Sequence, residues 1–584
     1  MPEQIIFKRE EDMPYLPITF GSMAGNKTGT WRYLRPKFEN KISPCNEGCP
    51  AGQDIEGAMV LIGKGKILQA WDLFKEENPF PAVCGRVCFH PCESSCNRGE
   101  FDEAVSINAL ERFMADMASR QGRKPLVKRE KRKEKAAIVG SGPAGLTCAY
   151  HLARLGYGVT VFEALPVLGG MLRVGIPEYR LPKKVLEEEI DQILELGVKA
   201  EVKFRLGKDF VMNDLKEYQA IFLAMGNHQS KSLGIPGEDT QGIMSGLEFL
   251  KNVNLGKAVP LGKKVAVIGG GNTAIDAARS VLRLGSKPFI LYRRTREEMP
   301  AFLGEILEAE EEGIEISYLV SPVRVISENG KVSRLECLKN RLGPADEDGR
   351  RRPVEIKGSN FVVEVDQVIA AIGEEADLSP LPKKLGLKES AVLTDERGAT
   401  KQKGVFAGGD IIQQPRTVVH AIGSGKRAAI FIDCFLKKKK WEGLFEAIRI
   451  GEQGSLSAKR YLQAEDERIS LTSKTVRLKD LNLDYFDYKK RKKMPKAQVA
   501  KRVGSFEEVN QGYAEETAVA EAKRCFNCGV CNLCDNCYIY CPDVAIVKQG
   551  EDEPNVIDYD HCKGCGVCVE ECPRDAMVME EERR

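Results

Sequence analysis

The sequence has no apolar run of about 18 residues or more, so no transmembrane helix is expected. It has almost no net charge. With 87 Lys and Arg against 85 Asp and Glu, the formal balance is +2. That gives no global electrostatic case for nucleic acid or a membrane surface. Only five His are present, with no HExxH pair and no Gly-x-Ser-x-Gly elbow, so zinc-protease and serine-hydrolase chemistry are not indicated. The opening stretch, MPEQIIFKREEDMPY, lacks the apolar core of a signal peptide, and a cytoplasmic location is expected. Hydrophobic residues at 42% and charged residues at 29% are ordinary for a folded protein and exclude disorder of the whole chain or a collagen-like fold. A length of 584 residues gives a soft prior of about four domains.

What the chain has in excess is cysteine. Of the 19, six lie between Cys45 and Cys96 and ten between Cys525 and Cys572. Clustered cysteines in a cytosolic chain suggest metal rather than disulfides. The isolated Cys148, Cys337 and Cys434 lie in apolar contexts and read as small core residues.

The C-terminal group is the most specific signal. Cys531-x2-Cys534-x2-Cys537-x3-Cys541-Pro542 is followed by Cys562-x2-Cys565-x2-Cys568-x3-Cys572-Pro573. This is the bacterial two-cluster ferredoxin spacing given twice, in which the fourth cysteine of each run serves the other cluster. Cys531, Cys534, Cys537 and Cys572 are therefore assigned to one 4Fe-4S cluster, and Cys541, Cys562, Cys565 and Cys568 to the second. Zinc knuckles rarely repeat this spacing with both prolines.

Two strand–glycine–helix events occur roughly 130 residues apart. In the first, the strand at 136–140 runs into Gly140-x-Gly142-x2-Gly145, and Glu163 ends the next strand. Such glycines allow a tight turn and close approach of a pyrophosphate, and the acid can accept ribose hydroxyls. Near 404–410 the chain reads GVFAGGD, where Gly409 and Asp410 can meet a flavin ribityl chain; the following helix, from about Thr417, would point its N-terminus at the isoalloxazine. In the second, Gly269-x-Gly271-x2-Ala274 is accompanied by Asn272 and Asp276. The next strand ends in Arg293 and Arg294 rather than an acid, which favours the 2′-phosphate of NADP(H). Surface arginines beside an NAD site remain the alternative. No Cys-x4-Cys pair accompanies the first motif, so disulfide reduction is not expected.

The N-terminal spacing is Cys45-x3-Cys49-Pro50, then Cys84-x3-Cys88-x3-Cys92-x3-Cys96. Spacing alone leaves its cofactor open. The segments AVCGRVCFHPCESSC, GGMLRVGIPEYRLP (with Gly170), LGIPGED, GGGNTAIDAARSVLRLG, YRRTREEMPA and GGDIIQQPRTVVHAIGSGKRAA resemble the small (beta) subunit of glutamate synthase and its relatives over about residues 45–435. The tail resembles the ferredoxin subunit of 2-oxoacid:ferredoxin oxidoreductases. The resemblance implies two more 4Fe-4S clusters in a helical N-terminal domain. By position Cys49, Cys88, Cys92 and Glu111 look like one of them. The family's upstream cysteine pair is absent before Cys45, which leaves Cys45, Cys84 and Cys96 short of a fourth ligand. Cys525 and Cys528, in EAKRCFNCG, resemble the missing phrase; idle thiols are the alternative.

The expected fold is multidomain α/β. It comprises an N-terminal helical Fe-S domain (1–130), an FAD lobe (131–250 and 375–436), an inserted NAD(P)H lobe (251–374), a linker (437–524) and an α+β bacterial-type ferredoxin domain (525–584). From Lys489 to Arg502 there are eight Lys and Arg and no acid, read as a solvated linker or as a docking strip for an acidic partner or domain. The expected cofactors are FAD, NAD(P)H and three to four 4Fe-4S clusters. The expected function is an NAD(P)H:acceptor oxidoreductase, in which a hydride is exchanged with flavin and single electrons with the clusters. The resemblance implies partner subunits that convert the organic substrate, such as a 2-oxoacid oxidoreductase, or an Fe-S partner. An electron-bifurcating subunit and a non-catalytic electron-transfer module are the alternatives.

Overall fold

The computed structural model describes residues 8–12, 25, 27–125, 131–346, 349–463, 473–550 and 553–582. Residues 128–130, which open the charged run KREKRKEK at 128–135, and 464–472 of the expected linker lie outside the described residues. The chain forms two compact units, one of residues 45–469 and 490–525, the other of residues 1–44, 470–489 and 526–584.

The larger unit begins with helices α1 (Ile55–Gly63), α2 (Ile67–Lys75), α3 (Pro81–Val87) and α4 (Ile107–Arg120). Their apolar stripes, including Met59, Phe74, Val83 and Met114, close on one another with the cysteines Cys45 to Cys92 in the same buried cluster. The first nucleotide lobe follows: β1 (Lys135–Val139), α5 (Pro143–Arg154), β2 (Gly158–Glu163), β3 (Lys199–Val202) and β4 (Ala220–Leu223). The chain then leaves it for β5 (Ile243–Ser245), β6 (Lys264–Ile268), α6 (Asn272–Arg283), β7 (Lys287–Tyr292), α7 (Leu303–Glu311), β8 (Glu315–Tyr318) and β9 (Gln367–Ala370). It returns with β10 (Val405–Ala407) and helix α8 (Val418–Leu436).

The two sheets are parallel, in orders β10-β4-β1-β2-β3 and β8-β7-β6-β9-β5. β1 and β6 are buried along four of five positions, as strands covered on both faces must be. The second lobe also carries a four-stranded antiparallel sheet from Val320 to Glu364. The two lobes are joined by a ribbon pairing Gln229–Ser230 with Glu374–Glu375.

Three boundaries differ from the sequence reading. β5 lies in the second lobe, beside β9, rather than in the first; three residues with no glycine motif gave no sign of it. The segment 490–525 is not a linker. Its helix α9 (Glu515–Ala522) packs in the helical core through Ala518 and Ala522. Its basic residues pair inward: Arg491 with Glu93 (2.6 Å), Lys496 with Glu308 (2.7 Å) and Arg502 with Glu311 (2.9 Å). Finally, residues from the chain's start belong to the ferredoxin unit. Strand Leu34–Phe38 pairs antiparallel with Met577–Glu581, and Arg32, Arg35 and Lys41 neutralise Glu582, Glu580 and Asp575. The acidic tail thus takes its counter-charges from the other end of the chain.

Helix α6 is fixed in place by buried charge. Arg279 has no exposed side-chain surface and is ringed by Glu305, Glu308 (2.9 Å) and Glu312 (2.7 Å), while Arg283 also meets Glu312 (2.7 Å). Burial would raise the Glu312 carboxyl, but hydrogen bonds from Arg283 and Arg279 outweigh it and bring it down to about 2. The stabilisation from Glu312 is therefore complete above the ordinary value of 4.5 and is lost as pH falls toward about 2. Replacing Arg279 by Met removes the one cation that Glu305, Glu308 and Glu312 share and leaves each with a single partner, Arg180, Lys496 or Arg283, and we expect a loss of about 3 kcal/mol, read as a lowered urea midpoint for the second lobe. A midpoint within error of wild type at neutral pH would contradict this.

Candidate functional site

Two large cavities lie in the larger unit. The first, about 780 Å³, is lined by Gly140, Gly142, Pro143, Glu163, Gly170 and Asp410, among others. The second, about 1190 Å³, is lined by Asn272, Thr273, Asp276, Pro300 and Phe302 on one side and by Cys88 to His90 on another. Met171, Ile176, Asp410, Arg416, Thr417 and Val418 line both, so the space is continuous.

The first cavity fits a flavin dinucleotide. Helix α5 starts at Gly142 with no side-chain cap, so its first backbone N–H groups open on the cavity wall formed by Pro143 and Ala144. A side chain on Gly142 would meet no atom within 4 Å, leaving the space a pyrophosphate needs. Gly145 is the opposite case: its Cβ would lie 1.9 Å from the Gly140 carbonyl, because α5 crosses β1 there without clearance. Glu163 braces the loop, with one oxygen accepting from the Ser141 N–H (2.9 Å) and hydroxyl (2.5 Å) and the other from the Leu165 N–H (2.7 Å). The latter oxygen has one lone pair left for a ribose hydroxyl. The Gly409 N–H donates to Ser424 on α8 (2.9 Å), which seats Asp410 at the cavity. Burial raises the Asp410 carboxyl, and Arg416 opposes the rise. Thr417 caps α8 by accepting from the His420 N–H (3.3 Å), and the imidazole of His420 meets the same hydroxyl (2.7 Å). His420 therefore serves the cap. Sequence reading missed the loop after β4, where Met225 and His228 reach the first cavity and Asn227 the second. A glycine three residues past that strand, Gly226 with φ +68°, was its one sign.

Helix α6 repeats the arrangement at Gly271, again without a side-chain cap, with Asn272 and Thr273 on the second cavity. Asn272 accepts from the Phe302 N–H (3.0 Å). Two expected nucleotide ligands are committed elsewhere. Asp276 is buried against Arg180 (2.7 Å) and Tyr179, and braces α6. Arg294 is buried, holding Asp346 (2.6 Å) and the Arg351 carbonyl (2.8 Å). Asp276 lines the second cavity while its carboxylate is held by Arg180, and Arg294 lies two residues past β7 with its side chain buried; their positions in the motif revealed neither pairing. Arg293 is exposed.

No disulfide joins any of the cysteines, all of which lie among the described residues. Among the described residues, no three His, Cys, Asp or Glu side chains converge as for a single metal ion. A cubane asks for something else, thiolates spread around its corners. In the C-terminal group, Cys572 lies within electrostatic reach of Cys531 and Cys537, while Cys541, Cys562, Cys565 and Cys568 line one small cavity. The structure thus brings the eight together in the crossed sets. In the helical domain, Glu111 is buried within reach of Cys49, Cys84 and Cys88. Burial pushes its carboxyl up to about 8, against the pull of the Gln53 amide (2.8 Å). Gln53 also accepts from the Cys49 thiol (3.5 Å). Cys45 lies within reach of Cys92, and Cys96 is half-buried on the same core. Cys84 stands on the Glu111 side, beside Asn78 (3.5 Å). Cys525 packs against the helical core, the Arg524 carbonyl before it accepting from Arg98 (2.7 Å). Donor sets of this kind fit iron–sulfur clusters.

Residues 134–425 match the pyridine nucleotide-disulphide oxidoreductase family. The chain belongs to it. Residues 38–123 match dihydropyrimidine dehydrogenase domain II with its 4Fe-4S cluster, and residues 555–578 a 4Fe-4S binding domain. The chain is 40% identical over 517 residues to the NADP(+)-dependent formate dehydrogenase subunit beta of Moorella thermoacetica, covering 83% of this chain and 70% of that one. It is 40% identical over 528 residues to the NADPH-Fe(3+) oxidoreductase subunit beta of Geobacter sulfurreducens (84% and 76%), and 36% identical over 406 residues to the glutamate synthase (NADPH) small chain of Halomonas elongata (66% and 86%). This member of the family is an FAD-dependent NAD(P)H oxidoreductase with 4Fe-4S clusters that transfers electrons. Its relatives are subunits of larger complexes. Among the described residues no helix is long and apolar enough to cross a membrane.

Because Gly145 has no room for a Cβ, Gly145→Ala should shift the α5 N-terminus and lower the flavin content of purified protein several-fold. Gly504→Ala, whose nearest neighbour would be 3.8 Å away, should keep it. Full flavin content in Gly145→Ala would contradict the assignment.

Proposed function

We propose that this chain is the NADPH-handling flavin subunit of a cytoplasmic redox complex and carries electrons between NADPH and a partner that converts the substrate. The observation that carries the reading is the continuity of the two cavities, each entered by an uncapped helix N-terminus. The α5 N-terminus, with Gly140, Gly142 and Gly170, holds the flavin pyrophosphate, and Glu163 takes a ribose hydroxyl. Asp410 and the N-terminus of α8 orient the ring end. The α6 N-terminus, at Gly269, Gly271 and Asn272, holds the nicotinamide nucleotide, with Arg293 on its 2′-phosphate. Bound flavin supplies the exchange between a two-electron and a one-electron carrier. Nineteen cysteines with no disulfide among them suit a reducing compartment.

The cluster ligands are assigned from the cysteine spacing and the family resemblance, and the grouping of the two C-terminal sets supports the first two clusters. Cys531, Cys534, Cys537 and Cys572 hold one cluster, and Cys541, Cys562, Cys565 and Cys568 the next. Cys49, Cys88, Cys92 and Glu111 hold the third, and Cys45, Cys96 and Cys525 serve a fourth. The ferredoxin unit is the exit toward the partner: Cys565 is exposed, and Tyr538, Ile539 and Tyr540 beside Cys537 and Cys541 present apolar surface.

Steady-state dye reduction by both nucleotides tests the nucleotide site. Arg293→Ala should raise KM for NADPH about tenfold, the worth of one charge-assisted contact, and leave KM for NADH near wild type. Arg294→Ala should weaken both nucleotides alike, because Arg294 supports the strand. A wild-type preference for NADH, or equal effects of Arg293→Ala on the two, would overturn the 2′-phosphate role.

Anaerobic iron analysis tests the fourth cluster. Wild type should hold about sixteen irons, and Cys525→Ser should lose about four, while Cys148→Ser loses none. An unchanged count in Cys525→Ser would remove Cys525 from the ligands.

A further inference from the structure

Lys426 is a lysine with no exposed side-chain surface, two turns into helix α8. Burying an ammonium is costly unless it is paired and hydrogen-bonded. Its Nζ donates to the Ala51 carbonyl and to Glu77 Oε2 (2.6 Å). Glu77 is buried too, and accepts from the Ser457 hydroxyl (2.5 Å) and the backbone N–H groups of Ala458 (2.8 Å) and Lys459 (3.0 Å). The ammonium lies against the turn Cys49–Gly52, where a Cβ on Gly52 would come within 2.8 Å of it. That turn is closed by the Gly52 N–H donating to the Cys49 carbonyl (2.8 Å). One turn earlier, Gly423 crosses the same segment so closely that a Cβ would stand 2.2 Å from the Pro50 carbonyl. Ala421, on the same helix, lines the flavin cavity. The rise per residue puts Lys426 about 7.5 Å along the axis from Ala421. Helix α8 therefore runs from the flavin cavity to the Cys49 turn and plants a fixed cation there.

We propose that Lys426 is a positioning residue for the cluster held by Cys49, setting the charge beside it and making it the acceptor that faces the flavin. The inference rests on the N-terminal cluster reading above. Taking up one electron adds one negative charge to a 4Fe-4S cluster, and net charge nearby is one of the protein's levers on its potential. The electron comes from NADPH by way of the flavin. A cation in a low-dielectric site favours the reduced form, and Glu77 sets how much of that charge is left uncompensated.

The test is an EPR-monitored redox titration of the full chain carrying its flavin and clusters. Lys426→Met should lower the midpoint of one N-terminal cluster by about 59 mV, a tenfold loss in its one-electron reduction equilibrium. Glu77→Gln, which leaves the ammonium uncompensated, should raise it. Lys426→Arg should stay near wild type, and the C-terminal clusters should not move in any variant. Opposite shifts from the two partners cannot come from loosened packing, which would move both the same way. Unshifted midpoints, or shifts of one sign in Lys426→Met and Glu77→Gln, would overturn the proposal. If Lys426→Met does not fold, Glu77→Gln decides: an upward shift supports the proposal and none overturns it. Wild-type protein showing only the C-terminal clusters would refute the cluster reading itself, a result distinct from an unshifted midpoint.

Discussion

Everything downstream of nucleotide binding depends on how closely helix α8 can lie on its neighbours. Gly425 has its missing Cβ 2.2 Å from the Ala144 carbonyl on α5, and Gly423 the same distance from Pro50. One helix thus touches the flavin-binding helix on one face and the first cysteine turn on another. A methyl group at either place would push α8 off that neighbour. Close approach is what a one-electron relay needs, and here it is obtained by removing side chains rather than by adding contacts.

The second constraint is the placement of charge. The helix ends assigned to phosphates have no side-chain cap, which leaves their N–H groups open to ligand. The charged side chains nearby do structural work instead. Asp276 and Arg180, Arg279 and its carboxylates, and Arg502 with Glu311 lock α6 and α7 together and hold the second lobe's nucleotide end in place. The basic stretch from Lys489 to Arg502 belongs to this system through Arg491, Lys496 and Arg502, and its solvent-linker reading does not hold for them.

What could be read in the sequence was whatever is local. Glycine spacing after a strand and the paired ferredoxin runs are short patterns with one physical meaning, and they pointed to the two lobes, the inserted order and a ferredoxin-like tail. What could not be read depends on partners far along the chain. Arg294 stands where a phosphate ligand would stand, yet it holds Asp346, and Asp276 stands within the motif, yet it holds Arg180. The strand Leu34–Phe38 has no pattern of its own that would pair it with residues more than 500 positions away. β5 is too short to announce itself, and Lys426 reads as an ordinary surface lysine in GSGKRAA.

The central claim is that electrons pass from NADPH through the flavin to the clusters of this same chain. Anaerobic rapid mixing of the reconstituted protein with NADPH, freeze-quenched for EPR and followed in parallel by flavin absorbance, tests it most directly. The account predicts that flavin bleaching comes first, that reduced-cluster signals follow, and that flavin-free protein shows neither. Reduced clusters in flavin-free protein, or a flavin that is reduced by NADPH while every cluster stays oxidised, would contradict it.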